Sequence, residues 1–162
     1  MKIDIYSHIQ PRKYLDALLK LVETDHKHFS TRFRVIESTR SLWNLDERLR
    51  IMDKYGDLVQ VLVPTGPPLE MLAKPGDVGG LVKLYNDEIA ELVEKYPDRF
   101  VAAVACLPLN NPEAALKEAH RAITELGFKG VLVDSPIYDY SAEKTKPIDL
   151  PEYMPLYEMM SN

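Results

Sequence analysis

The chain has 162 residues, 46% of them hydrophobic and 28% charged, which fits one ordinary soluble globular domain. Its net charge of −5 offers no footprint for nucleic acid, and no apolar run approaches the ~20 residues that span a bilayer. A single cysteine, Cys106, excludes an intrachain disulfide; with no basic and apolar leader ahead of the first strand, this points to the cytoplasm.

The first element is KIDIYSHIQP, Lys2 to Pro11. Ile3 and Ile5 alternate with Asp4 and Tyr6, which predicts a strand over Ile3 to Tyr6; Ser7 and His8 are released at its end, and Pro11 opens a helical pattern. In parallel α/β proteins ligands collect where the carboxyl ends of strands meet the following loops, so His8 is a candidate functional residue. Tyr14, Leu15, Leu18, Leu19 and Val22 then fall at helical spacing as far as about Glu23. Thr24 to Thr39 has no clear period. Within it His26 and His28 read as solvated loop residues, and Phe33 to Ile36 as a short strand or extended loop over the mouth of the sheet.

Asn44 followed three positions later by Glu47 is a capping box, with Leu45, Leu49 and Met52 as the apolar face and Gly56 as the stop. Arg48 and Arg50 lie off that face and read as solvated; Trp43 reads as a packing anchor. Leu58 to Val63 is nearly continuous in apolar residues, as a strand covered on both faces requires. A proline-rich loop follows, then a helix capped by Asp77 with Leu81, Leu84, Tyr85, Ile89, Leu92 and Val93 as its apolar positions. Phe100 to Ala105 is a third strand, with Cys106 at its end as a packing residue. Asn111 and Pro112 start a helix whose inner face is Ala115, Leu116, Ala119 and Ile123, with His120 on its exposed flank. Gly130 to Val133 is a fourth strand ending at Asp134 and Ser135; a long loop leads to a last helix from about Glu152 to Met160.

Four successive βα units imply a parallel sheet with right-handed crossovers, either a doubly wound open sheet or part of a closed barrel. No glycine-rich turn follows the first strand, which removes the usual support for dinucleotide binding.

The segments KIDIYSHIQP, LDERLRIMDKYGDLVQVLV, AKPGD, YPDRFVAAVACLPL, ELGFKGVLV and PLYE, in this order, resemble the amidohydrolase-related (amidohydrolase 2) family of metal-dependent TIM-barrel decarboxylases and hydrolases, and most of all its aminocarboxymuconate semialdehyde decarboxylases. The resemblance implies an α/β fold of parallel (β/α) units, here the amino-terminal half of a TIM-type barrel in a single partial domain. The family opens with Asp-x-His-x-His on its first strand, where both histidines hold a divalent metal, usually zinc. In this chain His8 matches the second ligand and Tyr6 replaces the first; a phenol must lose a proton before it can serve in that role. A third histidine, a catalytic histidine and a ligand aspartate are expected on strands beyond these four.

The implied function is a carboxy-lyase, or a hydrolase, acting on a small unsaturated or aromatic carboxylic acid. Arg34, in the stretch FRV, matches the family arginine that grips a substrate carboxylate, a task suited to a planar guanidinium. The alternative is a noncatalytic half-barrel scaffold that has lost the metal site. Either way four strands leave two open edges, so the expectation is a homo-oligomer, or completion by a missing carboxyl-terminal half.

Overall fold

The computed structural model describes residues 1–25, 30–73, 75–139 and 144–161, so the reading of His26 and His28 lies outside the described residues. The chain runs β1 (Lys2–Ile9), α1 (Arg12–Asp25), α2 (Ser30–Ser38), α3 (Arg40–Trp43), α4 (Leu45–Asp53), β2 (Leu58–Pro64), α5 (Pro75–Lys95), β3 (Phe100–Ala105), α6 (Pro112–Thr124), β4 (Gly130–Val131), β5 (Ile137–Asp139), β6 (Lys144–Lys146) and α7 (Met154–Ser161). β1 to β4 form one parallel sheet in the order β1-β2-β3-β4, and β5 pairs with β6 in a separate antiparallel hairpin. Parallel strands in sequential order, each followed by helix, make the open half of a (β/α) barrel.

Helices start where the sequence supplies acceptors for their first N–H groups. Asn44 accepts from the Glu47 amide at 2.9 Å and Asn111 from the Ala114 amide at 3.1 Å, with Pro112 in the first turn. α1 has no such residue of its own. The carboxylate of Glu88, on α5, accepts from the Lys13 amide at 3.1 Å and the Tyr14 amide at 2.6 Å. Asp77 lies inside the first turn of α5 rather than at its cap.

The core fills the space between the sheet and α1, α5 and α6. Leu15 and Leu18, Val82 and Ile89, Leu62 and Phe100 are all buried there. The inner face of α6 is Ala115, Ala119 and Ala122, whose small side chains let the helix approach the sheet, whereas Ile123 is exposed. The other face of the sheet is open: Ile3, Ile5 and Tyr6 on β1 and Val101 on β3 are exposed.

Other expectations change. Phe33 to Ile36 is helical, within α2, because helix tolerates this mixed sequence once Ile36 is buried. β1 runs on to Ile9, β4 is shorter than expected, and the loop beyond β4 contains the β5–β6 hairpin. Trp43 is a packing anchor as expected: it lies against the core, donates Nε1–H to the Glu37 carbonyl at 3.0 Å and carries the Arg12 guanidinium 5.1 Å from its ring centroid.

Candidate active site

The site begins with an irregularity in β1. Asp4 is paired with Gln60 and Ser7 with Leu62, three steps on β1 against two on β2, so β1 carries one extra residue. Partners in adjacent strands share a face. Gln60 and Ser7 both bond Arg48, so Asp4 and Ser7 lie on the same side although they are three positions apart. The Tyr6 amide, in the extra segment, donates to Asp4 Oδ1 at 3.1 Å. Beyond this bulge Ser7 and Ile9 point toward the helices and are buried, while His8, with Tyr6 of the bulge itself, lines the cavity at the carboxyl ends of the strands. Uninterrupted alternation would have put His8 on the helix side with Asp4.

Arg48 is the residue that the sequence reading misplaced. It is 6% exposed, and its Nη1 donates to Ser7 Oγ at 2.9 Å and Gln60 Oε1 at 2.8 Å, its Nε to the Ser41 carbonyl at 3.1 Å and its Nη2 to the His8 carbonyl. Burial holds its guanidinium below the usual value, yet arginine stays charged at any ordinary pH. Its place off the apolar face of α4 suggested solvent; those polar acceptors occupy that side instead.

His8 Nδ1 lies 2.9 Å from the Pro64 carbonyl. A carbonyl only accepts, so the proton is on Nδ1 and Nε2 keeps its lone pair for a proton or a metal. The Tyr6 ring stands edge-on to the imidazole, centroids 4.6 Å apart.

The cavity these side chains open into has a volume of about 210 Å³ and includes Glu70, Leu109, Leu132 and Asp134 in its wall. Glu70 is 4% exposed; Oε1 accepts from the Leu109 amide at 2.8 Å, and burial, with a smaller contribution from Asp134, pushes its carboxyl above the usual range. Partial desolvation at the rim also raises Asp134. Neither lysine nor arginine is among the described lining residues. Gly66 is also in the wall, at φ +117°, a backbone conformation that requires glycine; a Cβ there would stand 2.8 Å from Gln10 Nε2, which donates to the Thr65 carbonyl, and would push that amide aside.

Cys106 is packing, as expected: burial raises its thiol so far that no thiolate forms near neutral pH. Its backbone is clamped by Asn86, which is fully buried. Nδ2 donates to the Cys106 carbonyl at 3.0 Å and to Glu118 Oε1 at 2.7 Å, while Oδ1 accepts from the Cys106 amide at 2.9 Å.

Arg34 lies on α2, is exposed and is not in the cavity wall. Glu70 had no sequence signal beyond its position in a loop at the mouth. Asp134 had one, its place at the end of a strand. Among the described residues no group of three or more His, Cys, Asp or Glu gathers to hold a metal ion. His8 offers one prepared imidazole, and the other described residues do not complete a metal centre around it.

A half (β/α) barrel with a histidine at the end of its first strand defines the class of TIM-type barrel proteins whose sites lie at the carboxyl ends of the strands. The amidohydrolase family model matches residues 12–162, and the chain belongs to that family. It is 34% identical to the gamma-resorcylate decarboxylase of a Rhizobium species over 69% of this chain and 34% of that protein. It is 30% identical to the 2-amino-3-carboxymuconate-6-semialdehyde decarboxylase of Dictyostelium discoideum over 98% of this chain and 45% of that one. The crystal structure of 2,6-dihydroxybenzoate decarboxylase from Rhizobium superposes with a TM-score of 0.74 at 26% identity, over 97% of this chain and 45% of its own. That of a dihydroxybenzoic acid decarboxylase from a Polaromonas species, with bound manganese and the inhibitor 2-nitroresorcinol, gives 0.74 at 27% identity, over 98% of this chain and 46% of its own. The chain thus spans less than half the length of these relatives.

Proposed function

We propose that this chain is the amino-terminal half of a metal-dependent carboxy-lyase acting on a small unsaturated or aromatic carboxylic acid. The observation that carries this reading is His8, turned by the bulge into the mouth cavity with its Nε2 lone pair available, in a chain whose relatives are decarboxylases. In this reading His8 contributes one ligand to a divalent metal, zinc in the family pattern and manganese in the Polaromonas enzyme, and the remaining ligands come from outside the described residues. Arg34 grips the substrate carboxylate from α2, supplying the positive charge that the described residues of the cavity wall lack.

The test is decarboxylation of 2,6-dihydroxybenzoate and of aminocarboxymuconate semialdehyde by whichever assembly closes the barrel, a longer polypeptide or paired chains. Carbon dioxide release is expected, with turnover lost in His8→Ala. Removal of a charge-assisted bond worth ~1.5–3 kcal/mol should raise KM roughly ten- to a hundred-fold in Arg34→Ala, while Arg32→Ala stays near wild type. Full turnover in His8→Ala would overturn the reading. The second reading, a noncatalytic half-barrel scaffold, is favoured by Tyr6 at the first ligand position and by the lack of a ligand group among the described residues. A closed assembly that binds these acids without releasing carbon dioxide would support it.

A further inference from the structure

Arg48 reaches from α4 across the irregular step in β1. Its acceptors lie on both sides of the bulge: Gln60 is the partner of Asp4, before the extra residue, while Ser7 and the His8 carbonyl come after it. Ser41, on α3, holds the remaining edge of the fork. All four acceptors are neutral; among the described residues no carboxylate bonds Arg48, and Asp4 attracts it only from beyond hydrogen-bond reach. Removing a guanidinium from water without a carboxylate partner is unfavourable, so it must be offset by what the bonds hold in place. A planar fork with five donors can span four acceptors on three elements, whereas the point charge of a lysine cannot.

We propose that Arg48 is a positioning residue for His8: it fixes the one-residue bulge of β1 that directs the imidazole into the mouth cavity. A slip of one residue would exchange Ser7 and His8 between the two faces. The inference rests on the reading of His8 as the functional side chain, but its test requires neither metal nor turnover.

The experiment is nitrogen-15 NMR of the histidine rings in the full chain, at one pH where imidazole is neutral, with His8 assigned by its loss in His8→Asn. The wild type is expected to show His8 fixed as the Nδ1–H tautomer against Pro64. Arg48→Met and Arg48→Lys are both expected to lose that signature and give a ring that exchanges between tautomers, and added guanidinium should restore it in Arg48→Ala. Gln60→Leu keeps Arg48 but removes one acceptor, so it should weaken the signature, and it decides the matter if Arg48→Met fails to fold. An unchanged signature in Gln60→Leu, or in Arg48→Met with strand amides intact, would overturn the proposal. Its persistence in Arg48→Lys would do the same. A lost signature with undiminished turnover in the closed assembly would instead refute the role of His8 and leave that of Arg48 standing.

Discussion

Asn86 is the side chain whose replacement should be felt most at the mouth, because it ties the backbone at the end of β3 to α5. It is 0% exposed and makes three hydrogen bonds, two to the Cys106 backbone and one to Glu118. Asn86→Ala removes two neutral bonds at ~1 kcal/mol each and one charge-assisted bond at ~1.5 kcal/mol, about 3.5 kcal/mol together. Glu118 keeps Arg121, 2.7 Å away, so its carboxylate is not abandoned and the total stays near ~3–4 kcal/mol. For a domain of this size that lowers Tm by ~6–16 °C. Asn86→Asp should cost more than Asn86→Ala at neutral pH. Its carboxylate can still accept from the Cys106 amide, but it faces the Cys106 carbonyl and the Glu118 carboxylate. Urea denaturation of the three proteins, followed by circular dichroism, measures both differences. A loss below ~1 kcal/mol in Asn86→Ala, in the range of ordinary surface substitutions, would refute the reasoning, as would wild-type stability in Asn86→Asp.

Two further outcomes are expected. Burial holds the Glu70 carboxyl above its usual range, so its contribution to stability is fully present below the ordinary carboxyl pKa and is lost as pH rises through the raised folded value. Urea midpoints between about pH 4 and 8 should therefore fall more steeply for wild type than for Glu70→Gln, which can still accept from the Leu109 amide; equal slopes would contradict this. β1 is an edge strand with Ile3 and Ile5 exposed, so the 162-residue chain alone should associate at micromolar concentration. Ile5→Lys should shift it toward monomer in sedimentation with stability changed by less than ~0.5 kcal/mol. A monodisperse wild-type monomer would show that the four strands need no cover.

The architecture was legible because its signals are local. Asn44 with Glu47 and Asn111 with Pro112 announce helix starts within four residues, and the apolar runs at Leu58 and Phe100 announce strands. Phe33 to Ile36 was misread because so short a mixed segment fits helix and strand equally, and the burial of Ile36 decides between them. The site was legible only in its first residue. His8 could be placed at a strand end, but the bulge that aims it exists only in the pairing of β1 with β2. Arg48 is invisible for the same reason: its neutral acceptors lie on other elements, and an arginine outside an apolar stripe looks like surface. Asn86 and Glu88 likewise occupy buried positions on α5 where polar residues seem misplaced until their backbone partners on other elements are known.

The cap of α1 also bears on the order in which the chain folds during synthesis. The first turn of α1 is closed by Glu88, 75 residues downstream of Lys13, and the Ile9 carbonyl at the end of β1 accepts from the Tyr85 hydroxyl at 3.0 Å. When β1 and α1 leave the ribosome these groups therefore face water, and they stay there until α5 has been made. The first βα unit, although earliest in sequence, thus cannot be completed first. Its native contacts are non-local, with the slow loop closure that implies. A nascent chain stalled before Tyr85 should remain open to protease around residues 9–14, and one released after Lys95 should become protected there in a single step as α5 docks.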